Sequence, residues 1–418
     1  MSWDVSFISL HGDPLADLGG PHHGGQNVYV KELSRYLGAF GLTVDVFSRW
    51  ESEKQVDQEK YSRGTRVIRI PVGPPQEIQK EELINLLREI ADWIPSYQIQ
   101  HGLKYNLVHS HYYLSGAVGL HLKNTWGIPL VHTFHSLGVI KEETLGIRDQ
   151  SPSARLEIEK KLCQSADRII ATTPQEKEDL IELYHTDPDK ITIIPCGVNL
   201  DLFQPLSQEE SKKDIAFSTD DFLITYVGRL EERKGIDTLL EAIYLADNPS
   251  IQAVIVGGPP TDKPFLSWAE LSEEPYKEYM AMIDEYGIEK QITFTGGKSQ
   301  DQLSKYYSAA DITVIPSYYE PFGMTAIEAM ACGSSIIASR VGGLKSTVKE
   351  NQVGALFEPR NAEQLAEKIK IIFDQPSINV EMRKNARPYV EENFSWKFVA
   401  KSVAVVYQDL LTDDQVIE

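Results

Sequence analysis

The chain has 418 residues, 42% of them hydrophobic and 28 of them glycine, too many for one ordinary core and suited to a soluble globular protein of two domains. Its 41 basic residues face 61 acidic ones for a net charge of −20, which argues against nucleic acid or an anionic membrane as partner and leaves any anionic ligand to a local basic pocket. Cys163, Cys196 and Cys332 lie far apart without CxxC spacing, the start Met1-Ser-Trp-Asp4 lacks a basic n-region, and no apolar run nears about 18 residues. The expectation is therefore a cytoplasmic protein with no disulfide framework, no structural zinc and no membrane span.

Short apolar runs alternate with helical patterns at Val5–Leu10, Val44–Ser48, Val67–Ile70, Leu107–His111, Leu130–Phe134, Arg168–Thr172 and Ile191–Pro195. This spacing predicts a parallel sheet with crossover helices. After Cys196 and a polar stretch at Ser207–Asp221, a second set follows at Leu223–Val227, Ala253–Gly257, Ile292–Thr295, Ile312–Pro316, Ser335–Ala338 and Ala355–Phe357. The reading is α/β: two doubly wound, Rossmann-like domains, residues 1–196 and 197–395, with a final helix over 396–418 packing back on the first. The architecture repeats but the sequence does not. Ligands of open parallel sheets bind beyond the carboxyl ends of the strands, which for two such domains predicts a site in a cleft between them.

In chain order, the first candidate stretch is Leu18-Gly-Gly-Pro-His-His-Gly-Gly-Gln-Asn-Val-Tyr-Val-Lys-Glu32, a glycine-rich turn opening a helix. Glycine lets backbone approach a ligand and a helix N-terminus favours phosphate, but neither the dinucleotide fingerprint nor the P-loop pattern is met. His109-Ser-His111 and His22-His23 hold paired imidazoles, short of the three or four donors zinc needs, and no metal site is predicted. His132-Thr-Phe-His-Ser-Leu-Gly138 follows a strand, where a histidine can bond a sugar hydroxyl or move a proton. Asp187-Pro-Asp189 is read as a turn. Lys80, Lys141 and Arg155 bring three basic residues from separate segments, as a phosphorylated ligand requires.

In the second half, Gly228-Arg-Leu-Glu-Glu-Arg-Lys-Gly235 sets Arg229 and Lys234 at a strand's carboxyl end, where fixed cations can neutralise a pyrophosphate without a metal. Then Ile315-Pro-Ser-Tyr-Tyr-Glu-Pro-Phe-Gly-Met-Thr-Ala-Ile-Glu-Ala-Met-Ala-Cys-Gly333 runs from strand through loop to helix. Its amides at Phe322, Gly323, Met324 and Thr325 are expected to face an anion, with the helix dipole behind them. Glu320 and Glu328 frame these amides at roughly 12 Å if the span is helical, wider than a hydrolytic carboxylate pair, so they are read as gripping different parts of one long ligand.

Together these stretches resemble the retaining glycosyltransferases of the GT-B fold, family 4. Glu320 and Glu328, with seven residues between them, look like that family's E-x7-E signature. Arg229 with Lys234 is similar to its diphosphate clamp, and Gly24-Gly25 falls where its acceptor-side glycine loop falls. Within the family, His-His-Gly-Gly-Gln-Asn-Val-Tyr-Val-Lys-Glu32 and His135-Ser-Leu-Gly-Val-Ile-Lys141 look most like the sucrose-phosphate synthase branch. The resemblance implies UDP-glucose as donor and fructose 6-phosphate as acceptor, with no cofactor required and Mg2+ not placed in the site. It implies Arg229 and Lys234 on the diphosphate, Glu328 on the ribose and Glu320 on the glucosyl hydroxyls. His135 is implied at the transferred glucose, and Gly25 with Gln26 where donor and acceptor meet. Lys80, Ser136, Lys141 and Arg155 are implied around the sugar phosphate, although a second arginine expected beside Arg155 is Ala154 here. A separate sucrose-phosphate phosphatase is the partner this implies. The alternatives are another acceptor (fructose, an inositol phosphate or a lipid-linked sugar) and a noncatalytic sugar-phosphate-binding regulator on the same fold.

Overall fold

The structure, a computed structural model, describes residues 3–16, 24–145 and 153–413. The chain divides into two compact units, Met1–Cys196 with Trp396–Glu418, and Gly197–Ser395.

Among the described residues the first unit is built on eight strands: β1 (Asp4–Ile8), β2 (Thr43–Arg49), β3 (Gln58–Ser62), β4 (Thr65–Ile70), β5 (Leu107–His111), β6 (Leu130–Thr133), β7 (Arg168–Ala171) and β8 (Ile191–Ile193). They lie in the order β3-β4-β2-β1-β5-β6-β7-β8. Only β3 runs antiparallel, against β4. Central strands such as β5 are buried at every position because helices cover both faces, which is why they read as near-continuous apolar runs. The edge strand β3, Gln58-Glu-Lys-Tyr-Ser62, is exposed over its first three residues and carries no apolar signature, so it is absent from the predicted set. The predicted first strand also runs too far. Two more backbone bonds to β2 follow β1, Ser9 N to the Phe47 carbonyl at 2.9 Å and Arg49 N to the Leu10 carbonyl at 3.1 Å, while Ser9 Oγ donates to the Gly12 carbonyl at 2.8 Å and turns the chain.

The second unit has six strands, all parallel: β9 (Phe222–Val227), β10 (Ile251–Val256), β11 (Ile292–Phe294), β12 (Ile312–Ile315), β13 (Ser335–Ser339) and β14 (Gly354–Phe357). Their order is β11-β10-β9-β12-β13-β14. In each sheet the winding reverses once: between β1 and β5 in the first, between β9 and β12 in the second. A reversal leaves a crevice at the strands' carboxyl ends because the loops on its two sides leave toward opposite faces. The helix Trp396–Asp413 belongs to the first unit, burying Trp396, Val399, Val403, Val406 and Tyr407. Among the described residues, no helix is long and apolar enough to cross a membrane.

Candidate functional site

In the second unit the loops after β9 and β12 meet at the reversal point. Lys234 Nζ lies 2.5 Å from Glu320 Oε2, and both side chains are 15% exposed. Backbone fixes the encounter: Tyr318 N donates to the Arg233 carbonyl at 2.7 Å. Gly235 sits at φ +67°, where a Cβ would stand 2.0 Å from the Pro316 carbonyl oxygen, so only glycine lets the two loops close on each other. Tyr318 Oη donates to Asp237 at 2.6 Å and anchors the loop below. Arg229 and Arg233 both pair with Glu231, at 2.9 and 2.8 Å. The three cations thus lie together on one loop, each already engaged by a carboxylate.

Glu320 occupies more of the site than the sequence suggests. Burial would raise its carboxyl, but Lys234, Arg233 and the Gly323 amide hold it below the ordinary carboxylate range. The Gly323 N–H, expected to face a ligand, is therefore taken by Glu320 in this structure, because the carboxylate is the nearest anion to the helix N-terminus. From Gly323 the helix Met324–Ala331 begins, with Gly323 itself at φ +100°. Glu328 lies inside it, buried, accepting from Tyr307 Oη at 3.0 Å. Burial lifts its carboxyl to about 7, against the pull of Tyr307. A turn that sequence reasoning missed presses on this loop from behind. Gly343 N donates to the Glu320 carbonyl at 3.0 Å, and a Cβ on Gly342 would stand 2.2 Å from that same oxygen. Val341-Gly-Gly343 after a predicted strand was the available signal.

In the first unit the crevice between β1 and β5 holds Gln26, whose Nε2 donates to Ser9 Oγ at 3.2 Å and to the His111 carbonyl at 3.5 Å. A Cβ on Gly12 would stand 2.7 Å from Gln26 Nε2, so the glycine makes room for it. Gly25 is the exposed first residue of the helix Gly25–Ala39. His22 and His23 lie outside the described residues. Two residues following strands take left-handed backbone, Tyr112 at φ +74° after β5 and His135 at φ +63° after β6. Such conformations persist where the surroundings over-determine them, and they cluster at functional sites.

Here His135 Nε2 lies 3.2 Å from His111 Nδ1. The His135 ring also stands edge-on to Tyr29 at 5.0 Å, and Tyr29 to Trp396 at 5.4 Å. His109 bonds Tyr407 Oη at 2.6 Å and Thr133 Oγ1 at 2.9 Å, and His132 bonds Ser110 Oγ at 2.8 Å. Burial pushes His132 and His135 down to about 3 and His109 and His111 well below the ordinary imidazole value, so all four rings are neutral at pH 7. The histidine pair on β5 is thus engaged in hydrogen bonding, and among the described residues no group of three or more His, Cys, Asp or Glu could hold a metal ion.

Lys80, Ser136 and Arg155 are brought together around Tyr112. Lys80 Nζ and the Arg155 guanidinium stand 5.1 and 5.2 Å from its ring centre. Arg155 Nη2 donates to the Ser136 carbonyl at 2.9 Å and its hydroxyl at 3.2 Å. Its Nε donates to the buried Glu159 at 2.7 Å, and Glu159 also accepts from the Gly138 amide and Tyr184 Oη. Arg155 is therefore a buried, charge-matched anchor of the Ser136–Gly138 turn. Tyr112 and Glu159, missed by sequence reasoning, organise this group through contacts far apart along the chain. The helix Gly138–Leu145 carries Lys141, whose side chain lies outside the described part of the structure.

Comparison with known proteins gives this arrangement a family. The profile of glycosyl transferases group 1 matches residues 207–389, and that of glycosyltransferase family 4 matches residues 23–202. The D-inositol 3-phosphate glycosyltransferase of Corynebacterium diphtheriae is 33% identical, over 98% of this chain and 95% of that protein. D-inositol 3-phosphate glycosyltransferase 2 of Catenulispora acidiphila is 34% identical, over 98% and 95%. Among solved structures, sucrose-phosphate synthase from Thermosynechococcus elongatus aligns with a TM-score of 0.87 at 36% identity, over 98% of this chain and 100% of that one. With two Rossmann-like α/β domains and relatives matched over nearly its whole length, the chain belongs to the group 1/family 4 glycosyltransferases of the GT-B fold.

Proposed function

We propose that this glycosyltransferase moves glucose, with retention of anomeric configuration, from UDP-glucose to the 2-hydroxyl of fructose 6-phosphate. The C1–O bond to UDP breaks, a C1–O bond to the acceptor hydroxyl forms on the same face, and the hydroxyl proton leaves with the departing phosphate. Arg229, Lys234 and the amides of Phe322–Thr325 absorb the charge of the leaving diphosphate. Preorganised electrostatics of this kind is usually the largest catalytic term. Glu320 grips glucosyl hydroxyls, Glu328 the ribose, and His135 the transferred sugar. Gln26 and Gly25 lie where donor and acceptor meet, while Lys80, Ser136 and Lys141 surround the acceptor phosphate and Arg155, paired with Glu159, anchors the turn that carries Ser136. The observation that carries this reading is the 36% identity and whole-chain match to a sucrose-phosphate synthase. A second reading keeps the donor site and takes an inositol phosphate as acceptor, favoured by the names of the curated relatives. Both acceptors present a phosphate.

Nucleotide release from UDP-glucose and ADP-glucose, measured against fructose 6-phosphate, fructose and D-inositol 3-phosphate, separates them. Fructose 6-phosphate with UDP-glucose is expected to give the fastest release. Release driven by D-inositol 3-phosphate alone moves the assignment to the second reading. Saturable calorimetric heat without any release makes the chain a noncatalytic sugar-phosphate binder.

A further inference from the structure

We propose that His111 is a positioning residue that fixes the tautomer of His135, so that His135 presents an Nδ1–H donor toward the sugar; this rests on the reading that His135 faces the transferred hexose. Between His135 Nε2 and His111 Nδ1, 3.2 Å apart, there is room for one hydrogen, and in neutral rings either nitrogen can carry it. The choice is decided at the far end of His111. That residue is fully buried and its Nε2 has no hydrogen-bond partner among the described residues. Its ring packs against Phe7 at 4.9 Å, His109 at 4.2 Å and Tyr29 at 5.8 Å, surroundings made of ring faces and edges.

A proton on His111 Nε2 would be a buried donor with nothing to receive it, the rarer and costlier kind of orphan. The hydrogen therefore sits on His111 Nδ1 and is donated to His135 Nε2. With its Nε2 accepting, a neutral His135 carries its own proton on Nδ1. Burial supports this by keeping both rings uncharged. The left-handed backbone of His135 and its edge-on contact with Tyr29 hold the ring in this orientation.

The consequence is chemical. An Nδ1–H donates to a lone pair of a sugar oxygen, whereas it cannot take a proton. His135 thus orients a hydroxyl and does not act as general base toward the acceptor, and His111 sets that role without touching substrate.

Two measurements test this. Long-range 15N–1H correlation of the 15N-histidine-labelled, ligand-free full chain is expected to show His135 protonated on Nδ1 and His111 on Nδ1. A protonated Nε2 on His135 overturns the proposal whatever the substrate. In kinetics, the amide nitrogen of His111→Asn can replace the Nδ1 donor, and kcat is expected within about threefold of wild type. His111→Leu removes the donor and is expected to lower kcat 10- to 100-fold with KM for the nucleotide sugar within about twofold. Equal loss in both variants, or none in His111→Leu, overturns it. If His111→Leu fails to fold, the labelled wild type still decides. Absence of turnover with the expected tautomer in place refutes the proposed function and leaves the tautomer assignment standing.

Discussion

At the scale of single residues, the contact between Lys234 and Glu320 ties the proposed donor site to the stability of its unit. Both side chains are 15% exposed and 2.5 Å apart, so removing either leaves a largely desolvated charge without its partner. Breaking such a pair is costlier than replacing both members by uncharged groups. Lys234→Met and Glu320→Gln are each expected to lower stability by about 2–4 kcal/mol, and the two combined by clearly less than their sum. Turnover is expected to fall roughly 10²- to 10³-fold in Lys234→Met, the size of losing one preorganised donor to a developing anion. Urea melts of the four proteins, with kcat for the soluble ones, check both. Additive single effects would show that the pair does not hold the loop. The pair was half legible in the sequence. Lys234 and Glu320 stand in recognisable local stretches, but their approach depends on Gly235 lying under the Pro316 carbonyl, a contact 81 residues apart in sequence that no spacing reveals.

At the scale of elements, the strands buried on both faces were readable because burial imposes an apolar run. The exposed edge strand β3 was not, because its pairing lies in backbone hydrogen bonds that any polar residue can make. Strand β5 is instructive in a different way. Its period of two puts His109 and His111 on one face, a pattern equally compatible with metal binding and with buried hydrogen bonding. The hydrogen bonds this face makes come from Tyr407, Thr133 and His135, elsewhere in the chain, which no local pattern reveals. Burial of these rings also makes the unit acid-sensitive. The buried rings have folded values below the unfolded value of about 6.5, so the unfolded chain binds more protons over that interval. Their contribution is complete above pH 6.5 and is lost as pH falls toward about 3 for His132. Each such ring adds a slope of about 1.4 kcal/mol per pH unit where the unfolded chain is protonated and the folded one is not. Stability is expected to fall steeply between pH 6.5 and 5, above the range where ordinary carboxylates titrate. Substituting His132 by Phe is expected to flatten the slope even as it lowers stability at pH 7. Denaturant melts across that window that show no slope would mean the rings are hydrated in solution.

For the whole molecule, the division of the chain is not a division at one point. The first unit is completed by residues from the far end, since Trp396–Glu418 belongs with Met1–Cys196. The two crossings lie side by side in the second unit, where Val198 N donates to the Phe394 carbonyl at 2.8 Å. Past the second crossing, Trp396 stacks edge-on against Tyr29, and Tyr407 bonds His109. The last helix thus reaches the aromatic and imidazole layer under His135. Burying Trp396, Val399, Val403, Val406 and Tyr407 contributes about 1.5–3 kcal/mol per side chain, comparable in total with the 5–15 kcal/mol that holds a typical domain. A fragment ending at Cys196 is therefore expected to lack a cooperative melt and to expose this layer, shown by binding of a hydrophobic dye. Joining residues 396–418 to it through a flexible glycine-serine linker is expected to restore a single sharp transition. The fragment 197–395, which holds its own sheet and core cluster, is expected to fold without either. A cooperative transition in 1–196 alone, at the midpoint of the linked fragment, would show that the returning helix only decorates a domain already complete.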